Sequence, residues 1–243
     1  MAEKACLVVG AGDGLGAAIS RAFAREGLAV VVTRRPRHAP ALEALAASLC
    51  AEGGEAHAFP LDARSEEEVV ALVDRIEAKI APLAVVVFNI GANVRFPFVE
   101  TTTRVFSKVW EMACLAGFLT GREAARVMEK RGEGAILFTG ATASLRGGAG
   151  FSAFASAKNG LRAVAQSLAR EMGPKGIHVA HVVIDGAVDG VFTREQMPDA
   201  EERLKRQEIL EPDEIARNYV WLHRQGRSAW TFELDLRPWT ETW

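Results

Sequence analysis

The sequence has little of what marks several classes of protein. Its three cysteines, Cys6, Cys50 and Cys114, are odd in number and widely spaced, which fits neither a disulfide framework nor a zinc site. It has no apolar run near the ~20 residues that a membrane helix needs, and its start lacks the pattern of a secretory leader. These absences predict a protein of the reducing cytoplasm that does not enter a membrane.

Neither sign of charge is in excess. Lysine and arginine number 29 against 31 aspartate and glutamate, a net charge of −2. Such a balance gives no broad positive field for a nucleic-acid backbone, so nucleic acid is not an expected partner. Hydrolase and metal patterns are missing too: there is no Gly-x-Ser-x-Gly motif, and His178 and His181 lie three apart on a predicted strand, on opposite faces. No metal site is predicted.

What the sequence does contain is an alternation of short apolar runs with longer segments of helical period. This alternation is typical of strand-helix-strand units around a parallel sheet. The runs at 28–33 and 83–90 are apolar at nearly every position, as strands covered on both faces require. The predicted strands are 5–11, 28–33, 55–60, 83–90, 134–140, 177–184 and 229–236, and the predicted helices are 14–27, 40–52, 65–80, 101–130, 152–173 and 211–225.

Local signals refine this outline. Ser65 with Glu68 predicts a capping box, and Gly173-Pro174 predicts the end of a helix. The segment 186–210 is polar and punctuated by glycine, which predicts a mobile flap or a short helical lid over the site. That flap and residues 93–100 are expected to line a pocket for a small apolar or aromatic molecule.

A glycine cluster follows the first predicted strand and begins the first helix. Without side chains at Gly10, Gly12, Gly14 and Gly16, backbone N–H groups and the positive helix terminus are open to a diphosphate. A tight turn without a ligand is the alternative. The position in an alternating α/β chain favours nucleotide binding.

The spacing Gly10-x-x-x-Gly14-x-Gly16 resembles the glycine motif of the short-chain dehydrogenases/reductases. Asp62-Ala63 resembles the adenine-binding Asp of that family, and Asn89-Ile90-Gly91-Ala92 resembles its Asn-Asn-Ala-Gly segment. Taken alone, Asp62 would cap a loop and Asn89 would tie neighbouring strands. The resemblance covers nearly the whole chain.

The resemblance implies a doubly wound Rossmann-type sandwich of three layers, α/β in class, with one domain over residues 1–243. It implies a seven-stranded, mainly parallel sheet of order 3-2-1-4-5-6-7, with the site at the carboxyl ends of the strands. It also implies an oxidoreductase that acts on a carbonyl or alcohol with a nicotinamide cofactor. The implied cofactor-binding residues are Gly10, Gly12, Asp13, Gly14, Leu15, Gly16, Arg34, Arg35, Asp62, Ala63, Asn89, Gly91, Lys158, Gly186 and Val188.

The catalytic positions depart from the family's pattern. Lys158 matches the lysine of its Tyr-x-x-x-Lys motif, but Phe154 takes the Tyr position, Ala141 the Ser position and Cys114 that of a helix Asn. Such a chain resembles a subgroup with Phe for Tyr and the lysine retained. One positioned acid or base contributes roughly 10²–10⁴ in rate, so the usual hydride chemistry is expected to be severely weakened. Tyr219, the only tyrosine, is expected to lie outside the site.

Two functions stay open. One is an atypical oxidoreductase whose proton comes from another group, with Asp185 as a speculative donor if it is buried beside the cofactor; an Asp185 that caps a loop or faces solvent is the alternative. The other is a catalytically silent nucleotide-binding sensor or subunit partner, because Lys158 can hold a ribose without any reaction. The long helices 101–130 and 152–173 resemble the pair that forms dimers and tetramers in the family, so a homodimer or homotetramer is expected.

The second strand bears on the choice of nucleotide. NAD-preferring sites usually place an acid at its end, but no acid stands between Glu26 and Glu43. Arg34 and Arg35 occupy that place instead and suit the 2′-phosphate of NADP. Asp13 favours NAD(H), unless it only caps the helix that follows. NADP(H) is therefore favoured over NAD(H).

Overall fold

The computed structural model describes residues 2–242 and is built on one seven-stranded sheet, parallel throughout, with the order β3-β2-β1-β4-β5-β6-β7. The predicted fold class and strand order are confirmed. The single-domain expectation stays a prediction. The strands are β1 (Ala5–Val9), β2 (Ala29–Arg34), β3 (Ala56–Pro60), β4 (Leu83–Phe88), β5 (Gly134–Thr139), β6 (Ile177–Ile184) and β7 (Glu233–Leu236).

Helices cover both faces of the sheet. The predicted helix 101–130 is divided by a π-helical turn at Glu111–Leu115, a feature with no periodic signal in the sequence. The segment 186–210 contains two short helices, Val191–Gln196 and Ala200–Lys205, and its role as a lid stays a prediction. The helices are α1 (Leu15–Arg25), α2 (Ala39–Ala51), α3 (Glu66–Lys79), α4 (Thr103–Trp110), α5 (Ala116–Met128), α6 (Ser152–Met172), α7 (Val191–Gln196), α8 (Ala200–Lys205) and α9 (Pro212–Arg224).

The apolar runs of the central strands bury side chains on both faces. In β2, Val30 and Val32 pack in the core under α1, α2 and α9, whereas Val31 packs in the core under α3, α5 and α6. All three valines are fully buried. Full burial of a valine contributes about 1.5 kcal/mol or more, which explains why these strands are apolar at every position.

Two of the predicted helix boundaries can be compared atom by atom. The hydroxyl of Ser65 accepts from the N–H of Glu68 at 3.3 Å, but the carboxylate of Glu68 accepts from the N–H of Asp62, so only half of the predicted capping box forms. Helix α6 ends at Met172, where Gly173-Pro174 predicted its end. Among residues 2–242, no helix is both long and apolar enough to cross a membrane.

Candidate active site

A crevice crosses the carboxyl ends of the central strands, where parallel α/β sheets bind ligands. Two cavities occupy it and share Asn89, Ile90 and Gly91. The first, of about 480 Å³, contains Lys158 and is called here the lysine cavity. The second, of about 280 Å³, contains Arg34 and Arg35 and is called here the arginine cavity. An elongated ligand can therefore lie across both.

The glycine turn lies between the two cavities. Gly10 has a φ of +96°, and a Cβ placed on it would lie 2.7 Å from the carbonyl oxygen of Asn89. The side-chain amide of Asn89 donates to the carbonyl oxygen of Gly10 at 3.1 Å, so the predicted tie between neighbouring strands is present. Gly14 is the N-cap of α1, without a side chain on the N–H end of the helix. The turn thus leaves helix N–H groups open to an anion.

The arginine cavity holds a cluster of opposite charges. Arg34 Nη1 lies 3.0 Å from Asp13 Oδ1, so Asp13 pairs with strand β2 and the interpretation of Asp13 as a helix cap is wrong. Asp62 accepts from Arg64 at 2.5 Å, and this hydrogen bond lowers the pKa of the Asp62 carboxyl. Partial burial and the charges of neighbouring guanidinium groups lower the pKa of Arg35. The cluster is rich in cations that repel one another.

Lys158 lies at the base of the lysine cavity, 2% exposed. Its Nζ donates to the carbonyl oxygen of Ile90 at 2.9 Å and to that of Thr139 at 2.8 Å. Burial lowers the pKa of the Lys158 amine to about 7. The amine is therefore buried and is held between the ends of β4 and β5.

The sequence predicts three replacements of the family's catalytic groups, at Phe154, Ala141 and Cys114. Phe154 is buried on α6, and its ring centre lies 6.0 Å from Lys158 Nζ. Ala141 lines the lysine cavity after β5. Cys114 lies in the π-helical turn, buried, and burial raises the pKa of its thiol. A phenyl ring and a methyl group supply no proton at this place.

Asp185 follows β6 and is 1% exposed, so the solvent-facing alternative is wrong. Its Oδ1 accepts from the hydroxyl of Thr142 at 2.6 Å. Arg146 Nη2 lies 3.6 Å from Oδ1, and Arg237 Nη2 lies 3.8 Å from Oδ2. Thr142 and Arg146 line the lysine cavity, whereas Asp185 is not among its lining residues. The Asp185 carboxylate therefore reaches the cavity through Thr142.

His181, on β6, lies on the face that α6 covers. Its Nδ1 lies 3.0 Å from Glu233 Oε2, and Arg162 donates twice to the same carboxylate at 2.6 Å. Burial lowers the pKa of His181 to about 4, so the contact is a hydrogen bond from a neutral ring rather than an ion pair. His178 contacts α9 and stacks on Trp230, which confirms that the two histidines point to opposite faces.

Tyr219 lines neither cavity, as expected. It is fully buried on α9, and its hydroxyl lies 2.7 Å from Thr139 Oγ1. Burial raises the pKa of Tyr219 above its ordinary value. Among the described residues, no group of three His, Cys, Asp or Glu side chains is placed to hold a metal ion.

Most of the predicted site residues meet in the crevice. Asp13, Gly14, Gly16 and Asp185 are the exceptions, since they support the walls without lining a cavity. Sequence reasoning missed Arg64, Arg146 and Phe151, which carry no motif of their own. The predicted residues that line the lysine cavity are Leu15, Asn89, Gly91, Ala141, Phe154, Lys158, Gly186 and Val188, and those that line the arginine cavity are Gly10, Gly12, Arg34, Arg35, Asp62, Ala63, Asn89 and Gly91.

The segment 186–210, which is predicted to be a lid and is called the lid below, meets the crevice through Gly186 and Val188. Val188 bridges to Leu210, and a Cβ placed on Gly14 would lie 3.3 Å from the carbonyl oxygen of Asp189. Gly186 and Val188 are the lid residues that line the lysine cavity. Phe192, further along the lid, is 63% exposed and does not line it. The lid therefore touches the glycine turn, whereas the apolar side chains of Val191 and Phe192 on α7 stay exposed.

Comparisons with known proteins agree with this geometry. The family model described as short chain dehydrogenase matches residues 4–201. The uncharacterized oxidoreductase YxjF of Bacillus subtilis is 34% identical over 200 residues, 82% of this chain and 76% of that protein. The human 3-oxoacyl-(acyl-carrier-protein) reductase is 30% identical over 224 residues, 90% of this chain and 91% of that protein.

Solved structures are similar over 98% of this chain. A short-chain dehydrogenase from Rhodopseudomonas palustris is 51% identical, with a TM-score of 0.84 over 98% of this chain and 100% of that chain. A variant of actinorhodin polyketide ketoreductase, solved with NADPH, is 25% identical, with a TM-score of 0.89 over 98% of both chains. The matched residues include the glycine turn and Lys158, and the chain belongs to the short-chain dehydrogenase family of oxidoreductases.

Proposed function

We propose that this protein is an NADP(H)-dependent oxidoreductase that interconverts a carbonyl and an alcohol in a small apolar or aromatic molecule. The observation that carries the proposal is one crevice that joins the glycine turn, where Gly10 and Gly12 line the arginine cavity, to the buried Lys158 of the lysine cavity. The lysine cavity is walled by Phe151, Phe154, Ile184 and Val188, so it suits an apolar substrate.

The residues present fit a nicotinamide dinucleotide. Gly10 and Gly16 pack so closely on neighbouring backbone that a Cβ would overlap it, which holds the turn where a diphosphate can approach. Lys158 and Asn89 would hold the ribose and the nicotinamide, and Gly186 and Val188, which line the same cavity, would cover them. When bound, the cofactor supplies or accepts the hydride.

The arginine cavity supports NADP(H) over NAD(H). Arg34, Arg35 and Arg64 line it with His38, and two carboxylates, Asp13 and Asp62, neutralise only part of this charge. Desolvation and the adjacent guanidinium groups also lower the pKa of His38. A 2′-phosphate would relieve the repulsion among these cations and accept hydrogen bonds from them. Asp13 would compete with that phosphate for Arg34.

Cofactor binding tests this proposal directly. Energy transfer from the five tryptophans to the reduced nicotinamide would report the Kd of NADPH and of NADH. Arg34→Ala and Arg35→Ala should weaken NADPH roughly 10- to 100-fold, because a hydrogen bond to a charged group contributes about 1.5–3 kcal/mol. The Kd of NADH should change little in these variants. Asp13→Asn should lower the Kd of NADPH, because it removes the carboxylate that pairs with Arg34.

A matched control is Arg104→Ala, which removes an exposed arginine on α4, outside both cavities. It should leave both Kd values unchanged. An equal loss of affinity for NADPH and for NADH in the Arg34 and Arg35 variants would contradict the preference for NADP(H). Failure of the unaltered protein to bind either nucleotide would contradict the function.

A second function is favoured by one observation. Phe154 occupies the place of a proton donor, so a protein that binds the nucleotide without turnover, as a sensor or subunit partner, is the alternative. Asp185 stays a predicted donor that would act through Thr142. Turnover of any carbonyl by the unaltered protein, lost in Lys158→Met, would exclude the silent function.

Self-assembly is part of the proposal. A groove of about 890 Å³ runs between α5 and α6, lined by apolar side chains that include Phe118, Val164 and Leu168. Phe118 is 43% exposed, and such apolar surface suits a homodimer or homotetramer. Light scattering would give the size of the assembly, and Phe118→Glu should shift it towards the 26.2 kDa monomer. The cytoplasm stays the predicted location, with Cys6, Cys50 and Cys114 all free.

A further inference from the structure

The lysine cavity offers few groups that can exchange a proton. An amide does not exchange one with a substrate oxygen near neutral pH, and a guanidinium keeps its own. Thr139 Oγ1 is already bonded to Tyr219, and Thr142 Oγ1 donates to Asp185. Lys158 is left as the ionisable group that lines the cavity. The polar side chains at its wall are Asn89, Asn93, Thr139, Thr142, Arg146 and Lys158.

The two carbonyl groups around Lys158 suit both of its protonation states. Ile90 and Thr139 each accept one N–H from Nζ. A neutral amine has two N–H groups and one lone pair, so these two acceptors satisfy it completely. An ammonium has a third N–H, and Lys158 is one of the residues that line the cavity. The third N–H, which only the charged form has, is therefore the one that can be donated to a ligand in the cavity.

The surroundings favour exchange near neutral pH. Burial lowers the pKa of Lys158 to about 7. The charged and titratable groups near Lys158 include Arg146 at the cavity wall, Tyr219 beyond Thr139 and Asp185 beyond Thr142. On adjoining elements they include His181 on β6, Glu233 on β7 and Arg162 on α6. The Glu233 carboxylate is engaged by Arg162 and His181 and the Asp185 carboxylate by Thr142. The amine is therefore not fixed in its charged form by an adjacent carboxylate.

We propose that Lys158 itself exchanges the proton with the substrate oxygen, in the role that the family pattern gives to a phenol at position 154. This inference rests on the proposed function. In reduction, one N–H bond of the ammonium breaks and an O–H bond forms on the substrate, whose carbon takes the hydride that NADPH supplies. The amine then regains a proton from water. Oxidation of an alcohol runs through the same groups in reverse.

The stability of the cofactor-free protein tests whether the amine is poised in this way. Urea unfolding of the unaltered protein and of Lys158→Met would be followed from pH 6 to 10. Because the unfolded lysine has a pKa of about 10.4, the unfolded chain binds more protons between about pH 7 and 10. The stability of the unaltered protein relative to the variant should therefore rise with pH over this range. A constant difference would overturn the proposal.

Chemical labelling gives a second measurement that does not depend on a variant. Acetic anhydride acetylates neutral amines, and mass spectrometry of the Lys158 peptide would follow its rate against pH. The rate should reach half of its maximum near pH 7, and bound NADPH should suppress it. Half-labelling near the ordinary pKa of lysine, or no labelling at any pH, would contradict an exchangeable amine at the cavity wall.

Kinetics then separate Lys158 from Asp185. Reduction of benzil, menadione and ethyl acetoacetate by NADPH would be measured against pH for the unaltered protein, Thr142→Val and Asp185→Asn. An ionisation near pH 7 in kcat should persist in both variants. Its loss in Asp185→Asn would overturn the proposal in favour of Asp185. NADPH binding without reduction of any of the three would overturn the oxidoreductase function, and the stability and labelling measurements would still report on Lys158 alone.

Discussion

The ring of Phe154 faces the amine of Lys158, with 6.0 Å between the ring centre and Nζ. The two residues lie one helical turn apart on α6, and both line the lysine cavity. A phenyl ring attracts a cation only weakly and has no proton to give. The amine is therefore held by Ile90 and Thr139 rather than by its neighbour on the helix.

Phe154→Tyr should increase carbonyl reduction. The new phenol would lie beside the Lys158 amine, and one positioned acid contributes roughly 10²–10⁴ in rate, so we expect a rise of about 10² in kcat with NADPH and menadione. Phe151→Tyr is the matched control, because it adds the same hydroxyl to the same cavity beside Arg95 instead of Lys158. An equal rise in kcat in both variants would show that a phenol at position 154 has no catalytic advantage over one elsewhere in the cavity.

Gly16→Ala should disable the glycine turn. A Cβ at Gly16 would lie 2.5 Å from the carbonyl oxygen of Gly10 and 2.7 Å from the Cα of Ala11, so the backbone must move. We expect a loss of about 1–3 kcal/mol in the free energy of unfolding, as for overpacked sites, and at least ~10-fold weaker NADPH binding. Urea unfolding and tryptophan energy transfer would measure the two effects.

Gly226→Ala serves as the control for that experiment. Gly226 has ordinary extended backbone angles, and no atom lies within 4 Å of a Cβ placed there. This variant should be as stable as the unaltered protein or slightly more so. Normal NADPH binding by Gly16→Ala would mean that the glycine turn does not bind the diphosphate of NADPH.

Local patterns predicted the frame of the site, and long-range contacts decided the rest. Gly10 was predictable because the turn after β1 needs a left-handed φ and room for Asn89. The pairing of Asp13 with Arg34 was not, because the two residues lie 21 positions apart and meet only when β1 and β2 align. The same holds for His181 and Glu233, which are register partners on β6 and β7.

Tyr219→Phe should leave the chemistry intact and weaken the fold. The hydroxyl of Tyr219 is hydrogen-bonded to Thr139 Oγ1 at 2.7 Å in a fully buried position. Its removal leaves the Thr139 hydroxyl without that partner, which costs about 1–2 kcal/mol of unfolding free energy. Thermal unfolding would show a lower Tm, whereas the Kd of NADPH and kcat should be unchanged. A large loss of kcat at equal stability would place Tyr219 in the reaction.

The buried His181 predicts a loss of stability in acid. Its pKa is about 4 in the folded protein and about 6.5 when unfolded, so the unfolded chain binds more protons between these values. The free energy of unfolding should therefore fall as the pH drops from about 6.5 to 4, by about 3 kcal/mol from this group alone. His181→Gln keeps a donor for Glu233 without titrating, so its urea stability should fall less over this range. A fall in His181→Gln as steep as that of the unaltered protein would show that His181 is not the group being protonated.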